Sequence, residues 1–388
     1  MEKNYDVIIV GAGPAGAHCA RLLSQQSKLN ILVLDRTQEI GEPKKSTAAT
    51  FESTIKDHNI PSEVIMQKTN EFVIEGPTQE ARFSIPGVVL DFHQLKHALI
   101  DQAVNNGIDL EIATNVTGPL IENGKVCGVK YHNLEGSGEI RANIIVDASG
   151  PEGILARQVG LRKIEAKEHA TGMEYELERI DLPEKVMLFR LDQNFAPGGY
   201  SWICSLQGHQ AKVGNCWYDA YFQSMKGQGS SVAYLHKWMH EDKRLQQTRA
   251  LEIHAGDAYL TGKLLTRTYP GLICIGDSVC SINPLSGEGI RTGMNSAAFA
   301  AEAILNAQGD YSKEKMSAYQ KKWNAYAKAW KYSSLMAKVI YQLPNKKLDT
   351  LIKVVRQLEV SSMEAIINYR FGIKEMAKLV KPVILNKL

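Results

Sequence analysis

The chain has 388 residues, enough for one large domain or for two or three smaller ones. Hydrophobic residues make up 44% and charged residues 22%, as in soluble globular proteins; we find no apolar run long enough to span a membrane, and a net charge of +3 without a basic, aromatic-rich stripe excludes a nucleic-acid partner. The six cysteines include no Cys-x-x-Cys pair and the first strand leaves no room for a signal peptide, so we expect reduced thiols and a cytoplasmic protein.

The amino-terminal part of the chain predicts a strand, a tight turn, a helix and a second strand. Residues 7–10 form a continuous apolar run, which is typical of a strand buried on both faces. Residues 15–23 favour a helix, and the apolar run 31–34 predicts the next strand, which ends at Asp35. This order is that of a βαβ unit.

The turn between the first strand and the helix has the spacing Gly-x-Gly-x-x-Gly, formed by Gly11, Gly13 and Gly16. In this pattern the first glycine permits the tight turn, the second lets the backbone approach a pyrophosphate, and the third lets helix and strand pack closely. The helix N-terminus, at Pro14 and Ala15, offers unpaired N–H groups and a partial positive charge to phosphates.

The second strand ends in an acid. Asp35 lies 19 residues beyond Gly16, where its carboxylate can accept hydrogen bonds from ribose hydroxyls and would repel a 2′-phosphate. The neighbouring Arg36 is predicted as a further cofactor contact. The glycine spacing alone also fits an ordinary βα turn, but strand, helix and acid together predict a dinucleotide site.

The middle of the chain changes from this pattern to another and back. Residues 36–90 are less regular, and a helix at 95–104, strands at 108–116 and 125–131, and a buried strand at 144–147 follow. Residues 168–217 predict the short strands of a mostly antiparallel sheet, crossed by a helix at 231–240.

A second strand-turn-helix pattern then appears at 271–290. An acid at the end of its strand can accept hydrogen bonds from the ribityl chain of a flavin, and the N–H groups of its helix would stabilise the negative charge that the flavin ring gains on reduction. The residues predicted for this end of the cofactor are Gly276, Asp277, Pro284, Gly287, Gly289 and Ile290. With the first motif this pattern favours FAD over NAD; the alternative is a second βα turn without a ligand.

A nucleotide pattern that is interrupted and resumed predicts two parts of one domain that pair in space. We expect an α/β fold with a Rossmann-like FAD-binding domain at 1–155 and 256–310. An inserted antiparallel-sheet substrate domain is predicted at 156–255, and a C-terminal helical segment at 311–388.

The C-terminal segment is strongly basic. Residues 311–388 carry 16 Lys/Arg and 5 Asp/Glu, so their charge is +11 on a chain whose remainder carries −8. This imbalance indicates a solvated helical face with lysines outside; the alternative is contact with an anionic surface or ligand, such as peripheral contact with a membrane. One helical face is apolar, formed by Leu348, Leu351, Ile352, Val355 and Leu358.

At this point the chain resembles a known group, the flavoproteins built like p-hydroxybenzoate hydroxylase, and within them the geranylgeranyl reductase family. The run 146–150, Val-Asp-Ala-Ser-Gly, with Arg157 after it, is similar to the middle motif of that superfamily. The resemblance spans about residues 1–310. A second Gly-x-Gly-x-x-Gly after a strand is absent from the sequence, which argues against a two-dinucleotide disulfide reductase.

Tyr200 and Trp202 resemble part of the family's Tyr-x-Trp-x-Phe-Pro signature, which implies that they line a prenyl cavity. Aromatic walls suit a polyisoprenoid chain, although two residues on one strand face also fit an ordinary core. The chain departs from the family at three places: Cys204 and Ser205 replace Phe-Pro, Ser46 stands at a usual cysteine, which implies a substrate contact, and Phe92 stands at a usual arginine.

The resemblance implies an FAD-dependent reductase of C=C bonds in a prenyl or related hydrophobic chain, with NAD(P)H or another donor as the source of electrons. Two alternatives remain: a flavin monooxygenase of a hydrophobic metabolite, and a non-catalytic flavin or prenyl carrier. The Trp-x-Trp-x-Ile-Pro motif of flavin-dependent halogenases is absent. His93 and His97 lack the glutamate of His-Glu-x-x-His, so no metal is predicted, and no motif marks a proton donor or other catalytic residue.

Overall fold

The structure is a computed structural model that describes residues 4–163, 165–261, 263–370 and 372. In chain order its strands are β1 (Tyr5–Val10), β2 (Ile31–Leu34), β3 (Ala49–Phe51), β4 (Ile65–Thr69), β5 (Glu71–Glu75), β6 (Glu80–Phe83), β7 (Gly87–Leu90), β8 (Asp109–Glu111), β9 (Asn115–Glu122), β10 (Lys125–Asn133), β11 (Gly136–Asp147), β12 (His169–Glu178), β13 (Val186–Arg190), β14 (Gly199–Ser205), β15 (Gln210–Tyr218), β16 (Arg249–Tyr259), β17 (Thr268–Tyr269) and β18 (Leu272–Cys274). The α-helices are α1 (Pro14–Gln26), α2 (Glu52–Asp57), α3 (Phe92–Asn105), α4 (Ile154–Gln158), α5 (Asp219–Ser224), α6 (Ser231–Glu241), α7 (Ile290–Ala307), α8 (Lys313–Asn324), α9 (Ala327–Ile340), α10 (Asn345–Val355) and α11 (Val360–Ile367).

The first sheet has the strand order β17-β18-β11-β1-β2-β8. Its central strands are parallel, and they are apolar throughout because α1, α3 and α7 cover one face while α4 covers the other. The parallel order brings the carboxyl ends of β1, β2, β11 and β18 to one edge, so the two distant turn motifs become neighbours. The predicted α/β fold with a Rossmann-like sheet is confirmed.

The second sheet has the order β16-β12-β15-β14-β13-β5-β6 and is antiparallel except for the pair β13 and β5. The stretch 36–90, which the sequence left irregular, supplies β5 and β6 as well as the separate sheet β3-β7-β4. Trp238 and Leu235 of α6 close one face of the second sheet. The domain boundaries at 155, 255 and 310 stay a prediction.

The C-terminal helices cover the second sheet. Leu348, Leu351, Ile352 and Val355 of α10 are buried against the core that contains Phe72 of β5, which confirms the predicted apolar face. Lysines of the same segment lie on the outside, as on any amphipathic helix. Residues 371 and 373–388 of the predicted segment lie outside the described residues. Among the helices that are described, none has both the length and the apolar character that crossing a bilayer requires.

Candidate active site

One large cavity, of about 630 Å³, lies between the first sheet, the second sheet and the C-terminal helices. It brings together residues from both turn motifs and from the substrate sheet. Of the residues predicted for the site, those that line it are Gly11, Gly13, Pro14, Ala15, Asp35, Arg36, Ser46, Tyr200, Trp202, Gly276, Asp277, Pro284, Gly287, Gly289 and Ile290. Gly16 does not line it, because it lies behind the turn against the backbone of Gly11.

The glycine turn has the form that a pyrophosphate needs. A Cβ at Gly16 would lie 1.9 Å from the carbonyl oxygen of Gly11, so any side chain there would push the helix off the strand. A Cβ at Gly13 would meet nothing within 4 Å, which leaves the backbone at the start of α1 open to a ligand. Pro14 occupies the first turn of α1, where its missing N–H costs no hydrogen bond.

Asp35 ties the end of β2 to this turn. Its carboxylate accepts hydrogen bonds from the backbone N–H of Ala12 at 2.6 Å and from the backbone N–H and hydroxyl of Thr37 at 2.8 and 2.7 Å. These bonds hold the carboxylate at the cavity, with lone pairs left for ribose hydroxyls. Arg36 pairs with Glu152, which is half-exposed.

A buried cation that sequence reasoning did not identify lies near this acid. Lys96 of α3 is 7% exposed and lines the cavity, with its Nζ 4.5 Å from the ring centroid of Phe92. Burial lowers the pKa of Lys96 to about 8, and nearby Asp35 acts in the opposite direction. Phe92 stands where the family's arginine is usual, and Lys96, one helical turn later, brings a positive charge to the same cavity.

The second motif forms the other end of the site. Burial raises the pKa of Asp277 to about 6, against the opposing influence of Arg162 and Arg267. The guanidinium of Arg162 donates to the backbone carbonyl of Asp277 at 2.9 Å. Helix α7 begins at Ile290 with no side-chain cap, so the N–H groups of its first turn are available to a ligand.

Three tyrosine hydroxyls fix the loop before α7. Tyr218 donates to the carbonyl of Pro284 at 2.6 Å, Tyr341 donates to that of Leu285, and Tyr200 donates to that of Ser286 at 2.8 Å. The Asn283 side chain also accepts hydrogen bonds from the N–H groups of Leu285 and Ser286 at 2.7 and 3.0 Å. We name these three residues, Tyr200 of β14, Tyr218 of β15 and Tyr341 at the end of α9, the tyrosine clamp. Together they bind three consecutive backbone carbonyls of the loop.

The acid of the middle motif fixes the backbone, while Ala148, Ser149 and Gly150 of the same motif line the cavity. Asp147 is fully buried, and its carboxylate accepts hydrogen bonds from the hydroxyl and N–H of Ser149 and from the N–H groups of Leu155 and Ala156. It thereby fixes the turn between β11 and α4. Arg157 in that helix donates to the carbonyl of Glu152.

Tyr200 and Trp202 lie on one face of β14 and both line the cavity, with ring centroids 5.8 Å apart. The thiol of Cys204 continues the same face, and burial raises its pKa, so it stays protonated. Ser205 points the other way and is bound to the backbone of Val186. The departure from the family at Cys204 therefore reaches the cavity, whereas that at Ser205 does not.

The far wall of the cavity is aliphatic and comes from α9 to α11. Its residues include Met336, Ile340, Leu351, Ile352, Val355 and Met363. Sequence reasoning found the apolar face of α10 but could not place it, because periodicity alone does not say which surface a helix covers. The arrangement gives a cavity that is polar at the two turn motifs and apolar beyond them.

Open backbone at Gly13, a carboxylate at Asp35 and an uncapped helix start at Ile290 all match groups of FAD. A family model described as an FAD binding domain matches residues 4–332. The chain is 35% identical over 386 residues to digeranylgeranylglycerophospholipid reductase of Haloferax volcanii, with 94% of this chain and 92% of that protein covered. It is 28% identical to digeranylgeranylglycerophospholipid reductase 2 of Methanopyrus kandleri, over 99% of this chain and 96% of that one.

Solved structures agree on the fold. A geranylgeranyl bacteriochlorophyll reductase-like protein of Thermoplasma acidophilum superposes with a TM-score of 0.88 at 23% identity, covering 99% of this chain and all of that one. The flavin-dependent brominase Bmp2 has a TM-score of 0.71 at 20% identity, over 95% of this chain and 99% of that one. At these identities both show the fold alone. The predicted family and the predicted FAD cofactor are confirmed: the chain belongs to the geranylgeranyl reductase family of FAD-dependent oxidoreductases.

Proposed function

We propose that this protein reduces C=C bonds in the geranylgeranyl chains of a glycerophospholipid, the substrate that the names of its relatives give. The observation that carries the proposal is the form of the cavity, which continues from the two FAD motifs along Tyr200 and Trp202 to the aliphatic wall of α9 to α11. A polyisoprenoid chain offers only apolar surface, so such a wall would bind it by excluding water.

Different residues of the cavity would bind the cofactor and the prenyl chain. Gly13 and the start of α1 would hold the pyrophosphate, Asp35 the ribose, and the start of α7 the flavin ring. When bound and reduced, FAD supplies a hydride. Tyr200 and Trp202 would orient the prenyl chain and keep water from the double bond, and Ser46 is proposed as a further substrate contact.

An anaerobic turnover tests this proposal. The FAD-loaded protein is reduced with dithionite and mixed with a digeranylgeranyl glycerophospholipid, and the product is analysed by mass spectrometry. We expect a gain of two hydrogens for each saturated double bond. Unchanged lipid would contradict the proposal, and a hydroxylated product in a parallel reaction that contains oxygen would favour the monooxygenase alternative. NAD(P)H in place of dithionite tests the proposed electron donor in the same assay.

We also infer that the basic helices contact the membrane that holds the lipid. Lys331 and Lys338 of α9 are exposed, and Leu335 between them on the same face is 43% exposed. Cations around an exposed apolar side chain suit a surface of anionic lipid. We expect cosedimentation with anionic vesicles, lost in high salt and in the K331E/K338E variant; equal binding to zwitterionic vesicles would contradict this inference.

A further inference from the structure

A buried polar cluster in the cavity wall has a connection to solvent. The carboxylate of Glu174, 3% exposed, accepts hydrogen bonds from the indole of Trp202 at 2.8 Å and from the hydroxyl of Thr47. Its other oxygen lies 3.3 Å from Nδ1 of His254, whose Nε2 lies 3.0 Å from the carboxylate of Glu252. Thr47, Glu174 and His254 line the cavity, whereas Glu252 is exposed.

We propose that Thr47, Glu174 and His254 form a proton path that delivers a solvent proton, entering at Glu252, to the substrate carbon during double-bond reduction. The inference rests on the proposed function, since reduction by hydride transfer requires a proton for the second carbon. Thr47 is the terminal group at the cavity, and Glu174 and His254 act through it.

The charged groups around His254 favour its protonated form near neutral pH. The hydrogen bond to Glu174 raises the pKa of His254, burial lowers it, and the hydrogen bond to Glu252 raises it again. Three charged groups face the imidazole of His254: Glu174 from β12, Lys212 from β15 and Glu252 from β16. Glu252 is in turn paired with Lys44 from the loop before β3, and Lys44 also feels the charges of Glu176 and Asp91. The net direction is upward, so the imidazolium stays populated at higher pH than for a free histidine.

Other candidate donors in this wall are held in other roles. Burial raises the pKa of Cys204 and of Tyr200, which disfavours release of their protons, and the hydroxyl of Tyr200 already donates to Ser286. Ser46, at the family's cysteine position, donates no acidic thiol. Lys212, which is 3% exposed, donates to the carbonyl of Thr47 at 3.1 Å and so places a second buried charge beside Thr47 and Glu174.

Reduction adds a hydride, which bound and reduced FAD would supply, to one alkene carbon, and the other carbon forms its C–H bond with the hydroxyl proton of Thr47. The path starts with His254 as imidazolium and Glu174 as carboxylate. Nδ1 of His254 gives its proton to the nearer oxygen of Glu174, and the carboxyl group, after rotating, gives that proton to the oxygen of Thr47. His254 is left neutral with its proton on Nε2; after that proton has exchanged to Nδ1, Nε2 takes up one solvent proton through Glu252 and the imidazolium is restored. The net change is one hydride and one solvent proton added to the double bond, and the three residues end in their starting protonation states.

Single-turnover reduction of the lipid by the anaerobically reduced protein tests the path with four variants. Thr47→Val removes the terminal hydroxyl and Thr47→Ser restores it. Glu174→Gln keeps an acceptor for Trp202 but cannot relay a proton, and His254→Gln removes the imidazole. Glu178→Gln and His236→Gln, on the outer surface, are matched controls for the loss of a carboxylate and of an imidazole.

We expect Thr47→Val, Glu174→Gln and His254→Gln to slow reduction roughly 100-fold or more while FAD and lipid affinities hold, because general acid catalysis contributes on that order. Thr47→Ser and both controls should react like the wild type. The wild-type rate should fall as pH rises through the pKa of His254, and that dependence should be absent in His254→Gln. Nuclear magnetic resonance titration of His254 should give a pKa above 6.5 that drops in Glu174→Gln.

Wild-type rates and pH profiles in the variants would overturn the path while the proposed function stands. So would a loss of rate that only follows a loss of lipid affinity, because that is what a structural role predicts. A His254 pKa at or below its ordinary value, measured without lipid, would overturn it independently of turnover. A wild-type protein that leaves the lipid unchanged would overturn the proposed function and the path together.

Discussion

At the scale of single residues, the site combines predictable groups with others, such as Lys96, that only the fold reveals. The glycines and Asp35 follow from spacing, since their roles depend on local backbone geometry. Lys96 carries no such signal, because a lysine in an amphipathic helix is ordinarily solvated. Its burial follows from the position of α3 beside the cavity.

The charge of Lys96 gives a first prediction. A cation in the cavity attracts the anionic cofactor, and burial lowers the pKa of this amine to about 8. We therefore expect FAD affinity in the wild type to weaken as pH rises past about 8, and Lys96→Met to bind FAD weakly with little dependence on pH in this range. Titration by flavin fluorescence checks both. A Lys96→Met variant that binds FAD like the wild type at pH 7 would contradict the assigned role.

The tyrosine clamp gives a second prediction. Tyr218→Phe leaves the carbonyl of Pro284 without its donor, and a buried unsatisfied group of this kind costs about 1–3 kcal/mol. Because that loop precedes α7, we expect weaker FAD binding and a lower free energy of unfolding. Tyr221→Phe is the control, since its ring packs 4.7 Å from that of Tyr218 and its hydroxyl has no partner among the described residues. Equal FAD affinity in both variants would rule out the clamp as a positioning device.

At the scale of elements, α10 shows what periodicity can and cannot tell. Its buried face follows from the spacing of Leu348, Leu351 and Val355, but its partner surface depends on β5 and β14, far away in sequence. Likewise, Glu174 and His254 are cross-strand partners 80 residues apart, and a pairing between strands leaves no mark in either segment alone.

Filling the wall that α10 provides gives a third prediction. Val355 is buried and lines the cavity, so Val355→Trp should shorten the apolar part of the site. We expect weaker binding of a geranylgeranyl lipid, normal FAD affinity, and a stability cost of about 1–3 kcal/mol for overpacking. Lys353→Trp adds the same ring on the exposed face as a control. Undiminished lipid binding by Val355→Trp would show that α10 does not form the end wall of the substrate site.

At the scale of the whole molecule, buried histidines link stability to pH. His18 of α1 is 1% exposed, and neither of its ring nitrogens has a hydrogen-bond partner in the part of the chain that the structure describes. Burial, Arg21 and His58 lower its pKa well below 6.5. The unfolded chain therefore takes up a proton below pH 6.5 that the folded chain refuses, and this contribution to stability falls as pH falls.

A comparison of variants isolates this effect as a fourth prediction. Asp277 and His254, whose pKa values are raised, change stability in the opposite direction on acidification, so the wild type alone is not diagnostic. In His18→Leu those contributions remain and the His18 contribution is gone. We expect the variant to lose less stability than the wild type below pH 6.5, by about 1.4 kcal/mol per pH unit, in urea unfolding. Parallel curves for the two proteins would contradict it.

The FAD cofactor could be predicted from the two turn motifs, because each motif is a local solution to binding part of FAD, and the family from its resemblance at 146–150 and at Tyr200 and Trp202. The cavity could not, since it lies where two sheets and the C-terminal helices meet. Tyr200 illustrates the difference: its position on the substrate sheet was predicted, but its hydroxyl contacts a loop 86 residues away.

The central claim is that one cavity holds FAD and a prenyl chain together. A crystal structure of the FAD-loaded protein with a geranylgeranyl lipid tests it most directly. We expect the flavin ring at the start of α7 and the prenyl chain along Tyr200 and Trp202, ending at Val355. A chain bound on another surface, or a flavin that leaves Ile290 uncovered, would contradict the claim.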